Sequence, residues 1–279
     1  MHTTIFTLAG NKSRLAKKIN KYIPSQYSQY VELFGGTLSM LIEQDKLNDK
    51  LKYGIIVNDF NKNYYKLYKI IKSDKGIKDL IKTLDKWYYY LKSHKWSKSS
   101  MVKLYKDFKN IKNNKNYYLL PLLTRMIYFG LYMVTTENIV WRTNYSLSLN
   151  TYNKIKETLY NLHYKLKINN AKIYNNDLTT NFNNILSNIK KSAFVFIDPP
   201  YIDVSSTNNL IYGQGKKIKI YSWLKLLIKL ENKKAKFMLT DKYTSNSFKE
   251  YKKLKPYLHT LVIKKIKGTK YDEIVVMNY

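Results

Sequence analysis

The eight residues FVFIDPPY, 194 to 201, set an apolar run, Phe194-Val195-Phe196-Ile197, against a carboxylate, two prolines and a tyrosine. An apolar run this short, bounded by turn signals, reads as a strand buried on both faces. Asp198 then sits where that strand leaves the core. Pro199 and Pro200 fix φ and carry no N–H, so carbonyls around them are left to accept hydrogen bonds. Tyr201 adds a flat ring. The corner is rich in acceptors beside a stacking surface, which suits a planar base bearing an exocyclic amine. The simpler reading of these residues alone is a proline turn with Asp198 capping locally.

Two other runs end in the same manner. YVELFGG, 30 to 36, stops at a glycine pair, and IIVNDF, 55 to 60, stops at Asp59. In open parallel sheets, ligands bind beyond the carboxyl ends of the strands, so the three endings would ring one crevice. Asp59 lies about twenty-five residues past the first glycine turn, the place of an acid that accepts hydrogen bonds from a ribose diol. It also stands where an N-cap would precede NKNYYKLYKII, and spacing alone leaves both readings open. The turn FGGTLSM lacks the GxGxxG pattern, which argues for a ligand without a pyrophosphate.

The rhythm around these runs is α/β. NKSRLAKKINKYI places Leu15, Ile19 and Ile23 on one helical face, LSMLIEQDKL reads as a helix, and strands are expected at QYVELF and YGIIVNDF. Residues 63 to 118 show amphipathic, very basic helices without strand alternation. The apolar tract Leu119 to Val134 reads as a core helix, since Arg125 interrupts it and it is short for a bilayer. WRTN, 141 to 144, lies in a short polar loop or hairpin. From about 160 the α/β pattern returns, with strands at AKIYNND, SAFVFID and AKFMLTD, a helix at YSWLKLLIKL and a closing pair at HTLVIKKI and YDEIVVMNY. The expected division is a sheet domain of residues 1–62 and 160–279 with a mostly helical lobe, 63–159, inserted.

Lys and Arg number 50 against 19 acids, a formal charge of +31, which fits a polyanionic partner and most simply nucleic acid. Compositional bias toward Lys, Asn, Ile and Tyr accounts for part of that excess, but leaves the scarcity of acids unexplained. Cysteine is absent, which excludes disulfides, thiolate metal sites and a cysteine nucleophile. The histidines His2, His94, His163 and His259 are scattered, and no metal site is expected. No signal peptide follows Met1, so a soluble, intracellular protein without membrane attachment is expected.

With these motifs in view the chain resembles the Dam-like, class D12 adenine-specific DNA methyltransferases of the bacteriophage type. The resemblance runs nearly end to end. DPPY after an apolar strand is the signature of amino-methyltransferases acting on nucleic acid. LAGNKSRLAKKINKYIP is similar to the opening motif, YVELFGGTLSM to the S-adenosylmethionine turn, IVNDFNKNYYKLYKII to the ribose-binding segment, and KGTKYDEIVVMNY to the closing strand. It implies a Rossmann-like methyltransferase sheet with an inserted helical target-recognition lobe.

The resemblance also implies residue roles. The cofactor, S-adenosylmethionine, would be met by Leu8 (or Phe6 in its place), Lys12, Glu32, Phe34, Gly35, Gly36, Asp59 and Asp198. Asp177 would approach its adenine, unless it caps a helix. Asp198, Pro199, Pro200 and Tyr201 would form the catalytic corner, Asp198 between methyl donor and target amine and Tyr201 stacked on a flipped base. Arg125, Arg142 and Asn144 would meet DNA. The expected reaction is direct methyl transfer to adenine N6 in double-stranded DNA. A basic DNA-binding protein without catalysis, or amino methylation of cytosine N4 or of RNA, are the competing readings. Oligomeric state stays open between a monomer and a weak dimer.

Overall fold

The computed structural model describes residues 4–7, 12–110, 116–127, 145–178, 182–199, 221–267 and 272–279. All the expected strand runs form strands. They are β1 (Gln29–Glu32), β2 (Ile55–Asn58), β3 (Lys172–Tyr174), β4 (Ala193–Ile197), β5 (Lys236–Lys242), β6 (Val262–Ile266) and β7 (Glu273–Met277). They make one seven-stranded sheet in the order β3-β2-β1-β4-β5-β7-β6. Neighbours from β3 to β5 are parallel, and β7 runs antiparallel between β5 and β6. From β1 the chain builds outward through β2 to β3, then returns to lay β4 on the other flank of β1. The order therefore reverses between β1 and β4, the position where open sheets leave a crevice.

Strands β1, β2, β4 and β7 are buried along their whole length, while β3 and β6, at the edges, are partly exposed. Helices on both faces cause this, and the strands read as continuous apolar runs because neither face meets water. Alternate residues divide between two cores. Tyr30, Ile55, Val57, Phe194, Phe196 and Met238 face one. Val31, Ile56, Val195, Ile197, Phe237 and Leu239 face the other.

The first core is roofed by α1 (Ser13–Asn20), α2 (Ser39–Ile42), α3 (Lys62–Lys72), α4 (Asp74–Ser93), α5 (Lys98–Asn110), α6 (Leu120–Met126) and α7 (Leu149–Ile168). The second lies under α8 (Asn183–Leu186), α9 (Tyr221–Asn232) and α10 (Ser245–Lys252). Side-chain caps start the long helices where the sequence offers them. Asn61 accepts from Asn63 N before α3, Ser73 from Gly76 N before α4, and Ser148 from Thr151 N before α7. Leu80, Trp87, Tyr88 and Leu104 of the helical segment belong to the same hydrophobic cluster as the sheet residues Tyr30 and Phe194. The expected lobe boundaries fall beside the first residue of α3 and within α7.

Two helical expectations differ from the structure. LSMLIEQDKL forms the single turn α2 and then a 3-10 turn, Asp45–Asn48, because Gln44 adopts an extended ψ of 97° between them. The core helix expected over Leu119 to Val134 ends at Met126, where Ile127 turns extended (φ −95°, ψ 142°). Residues 128–134 of that expected helix lie outside the described residues. Among the described residues no helix is long and apolar enough to cross a membrane.

Candidate active site

Parallel strands bring their carboxyl ends to one edge of the sheet, and here those ends carry acids. Glu32 is the last residue of β1, Asp59 and Asp198 follow β2 and β4 directly, and Asp241 lies near the end of β5. Glu273 opens β7 opposite Lys242, at the same edge.

Asp198 holds the centre. Its Oδ1 accepts from Lys12 Nζ at 2.8 Å and from the Thr240 hydroxyl at 2.8 Å. The Lys12 side chain is 4% exposed and that of Asp198 is 18% exposed, so the pair is largely withdrawn from water with the carboxylate still reached by it. Lys12 Nζ also lies 3.9 Å from Glu273 Oε1. Lys12 precedes α1 and its carbonyl accepts from Leu15 N and Ala16 N, which anchors its backbone at the helix start. Among the described residues, both contacts on the Asp198 carboxylate fall on Oδ1.

Asp59 ties the glycine turn to the second strand. Its Oδ2 accepts from Gly36 N at 2.7 Å and its Oδ1 from Asn61 N at 2.7 Å. Asn61, not Asp59, caps α3, which decides between the two readings of that acid as far as the cap is concerned. Gly36 takes φ +49°, a left-handed conformation that glycine adopts without a Cβ penalty. The Tyr68 hydroxyl donates to the Gly36 carbonyl. A Cβ on Gly35 would lie 2.9 Å from the Tyr68 hydroxyl oxygen. The two glycines thus let the chain pass close over α3 and reach the strand tips. Burial pushes the Asp59 carboxyl up to about 6, against the pull of its backbone donors.

Glu32 is 2% exposed and points into the first core. Its Oε2 accepts from the Tyr30 hydroxyl at 2.8 Å and from Leu41 N of α2 at 3.2 Å. Burial first, and then the like charges of Asp198 and Asp59, push it up to about 8, while its two donors pull the other way. The three acids thus stand near enough to act on one another at this edge of the sheet. Asp241 lies on the opposite face, 1% exposed, accepting from the Tyr251 hydroxyl and Lys242 N. Burial pushes it up to about 6.

The remaining expected residues separate clearly. Phe34 is half-buried against the second core. Phe6 is fully buried and stacks on Tyr64 at 4.7 Å between centroids, which commits its ring to packing. Pro199 is buried beside Asp198. Asp177 lies in the loop after β3, next to Asn176, whose N–H donates to the Asn58 side chain at 2.9 Å. No described helix begins at Asp177. Arg125, expected at DNA, is a correction. It is 6% exposed, and its guanidinium donates to the carbonyls of Thr4, Ile5 and Pro121, fastening the N-terminal strap to α6. Its position in an apolar helix makes it a structural tie. Leu8, Pro200, Tyr201, Arg142 and Asn144 lie outside the described residues.

Sequence reasoning missed Thr240 and Glu273. AKFMLTD ends an apolar run in Thr-Asp much as FVFID ends in Asp, and that parallel was the available signal. For Glu273 the signal was an acid opening a strand that is otherwise apolar.

A sequence model of the D12 class N6 adenine-specific DNA methyltransferases matches residues 9–254. No curated protein matches the chain. Among solved structures it is similar to two of the rRNA methyltransferase aviRa from Streptomyces viridochromogenes, at 11% identity and a TM-score of 0.46. The aligned parts cover 98% and 100% of this chain and 89% and 91% of those.

Proposed function

The chain belongs to the D12 class N6 adenine-specific DNA methyltransferases, and from that membership we propose how its own residues divide the work. Asp198 receives the N6 amine of an adenine turned out of duplex DNA. Glu32, Asp59 and the glycine turn hold S-adenosylmethionine. The donor set fits that cofactor: carboxylates gather at three strand tips, and Gly36 takes the left-handed φ that turns the chain beside them. A carboxylate offers about four lone-pair sites, so Asp59 can accept from a ribose diol besides its two backbone donors.

When bound, the cofactor would supply a methyl group on a sulfonium: the S–C bond would break as the N6–C bond forms, leaving a neutral thioether, and the proton shed by the amine would pass to water. The exocyclic amine is conjugated to its ring and is a weak nucleophile. Asp198 Oδ2 and a carbonyl of the proline corner hold its two hydrogens, which favours a pyramidal nitrogen with its lone pair free. Lys12 aims Asp198, and no covalent intermediate on the protein is needed. Placement of this kind contributes roughly 7–11 kcal/mol in favourable cases. Turning the adenine out of the stack costs a few kcal/mol, which stacking on Tyr201 offsets in part.

The observation that carries this reading is the Asp198 carboxylate, gripped on one oxygen at the strand-tip edge where Glu32 also ends β1 and Asp59 follows β2. Asp198→Ala tests it. Mass spectrometry of nucleosides from DNA treated with each protein should find N6-methyladenine with the wild type and none with the variant. Cofactor affinity, read by calorimetry, should change little. Full methylation by Asp198→Ala removes the assignment, and N4-methylcytosine as the product would move the target base.

A further inference from the structure

Thr240 is fully buried near the end of β5, on the face shared with Met238, where the neighbouring side chains are apolar. Its hydroxyl donates to Asp198 Oδ1 at 2.8 Å. The parallel register that sets Ile197 beside Leu239 brings the next residues, Asp198 and Thr240, level with each other. Lys12 reaches the same oxygen from the start of α1, at 2.8 Å. Two donors from two different elements therefore converge on one carboxylate oxygen.

That convergence has a mechanical meaning. A carboxylate held by a lysine alone can turn about its Cβ–Cγ bond and exchange its oxygens, because an ammonium is a point charge on a flexible stem. A hydroxyl fixed on a strand is directional and rigid. With both in place, Oδ1 is occupied and the carboxylate plane is set, so Oδ2 is the oxygen turned to the crevice. We infer that Thr240 is a positioning residue for methyl transfer, which locks the Asp198 carboxylate so that Oδ2 alone receives the target amine. This rests on the role proposed for Asp198. A purely packing role is the competing account, since threonine suits a strand and a buried hydroxyl takes whatever acceptor is near.

Thr240→Val keeps shape and removes the donor, and Thr240→Ser restores it. Each is compared with wild type for methyl transfer to duplex DNA, for cofactor Kd by calorimetry, and for Tm. The expected result is a kcat about tenfold to a hundredfold lower in Thr240→Val, the scale of one lost hydrogen bond to a charged acceptor. KM for DNA and cofactor Kd should stay within about twofold, and Thr240→Ser should recover most of kcat. An unchanged kcat in Thr240→Val overturns the inference while leaving the role of Asp198 standing. Equal losses in both variants accompanied by a lower Tm overturn it in favour of packing. Absence of N6-methyladenine with the wild type overturns the proposed reaction, and this inference with it.

Discussion

Glu32 shows how a side chain can serve the interior and the site at once. Its carboxyl is buried, receives a hydroxyl and an N–H, and faces the acids Asp198 and Asp59. With its pKa raised to about 8 from the ordinary 4.5, the folded chain keeps a proton there between those pH values that the unfolded chain has released. The folded state then binds more protons, so stability falls as pH rises across that window. Asp59 and Asp241, both pushed up to about 6, act in the same direction between about pH 4 and 6. Urea denaturation from pH 5 to 8 should show a loss on the order of a few kcal/mol. Glu32→Gln, which can still accept from Tyr30 and Leu41, should flatten the upper part of that slope. Parallel slopes for the two proteins would dismiss this account. At this scale the sequence was partly legible. Asp59 and Asp198 stand out because a charge after an apolar run has few structural uses, whereas Lys12 and Glu32 entered only through the family resemblance. Thr240 did not stand out, because a threonine in a strand is ordinary and its partner is 42 residues away.

The element most exposed to failure is α2, a single turn that follows the glycine pair. A helix of this length has too few internal bonds to stand alone. It is held from both ends. Glu32 accepts from Leu41 N, and Lys165 of α7, 1% exposed, donates to the carbonyls of Leu41, Ile42 and Gln44 at 3.3, 2.7 and 2.9 Å. Leu41 and Ile42 stand at the end of the turn, where a cation suits the carbonyls, and Gln44 leads into the 3-10 turn that follows. Burial pushes Lys165 down to about 8, a trend that Asp45 and Glu43 oppose. Lys165→Met keeps the stem and removes the donors, and it should destabilise the fold by about 1–3 kcal/mol in urea denaturation. Amide exchange at Leu41 to Gln44 should quicken more than exchange in β4, and a uniform change would point to global loosening instead. Strands were easy to read beforehand because burial on both faces leaves continuous apolar runs. Their order was not readable, since the insertion of β7 between β5 and β6 depends on contacts far apart in sequence. The shortness of α2 was hidden for a related reason: what sustains it is a lysine 124 residues away from Leu41.

Across the whole molecule a basic surface surrounds a sheet edge that carries acids. The formal total is +31. Yet Glu32, Asp198, Asp241 and Glu273 are withdrawn into the edge of the sheet where the strands end. Among the described residues the buried bases Lys12, Arg125 and Lys165 offset the buried acids, so the outer surface stays strongly basic while the strand-tip edge carries acceptors. The two fields act over different distances. A polyanion approaching from solvent meets the basic shell, which attracts it through the release of condensed counterions. A small cationic group gains only on reaching the carboxylates, inside a Debye length of about 10 Å at 0.1 M salt. Salt should separate the two. If the protein neutralises six to ten phosphates, duplex affinity should fall by about 10³ to 10⁵ between 50 and 200 mM salt, with a slope near −0.9 per phosphate. S-adenosylmethionine affinity should hold or rise slightly over the same range, because screening relieves its repulsion by the net charge. Fluorescence titration of a labelled duplex and calorimetry of the cofactor, both at constant pH, measure the two. A duplex affinity that changes less than about tenfold would mean the basic shell is compositional and grips few phosphates. A cofactor affinity that collapses with salt would mean its binding depends on the outer field and not on the acids at the strand tips.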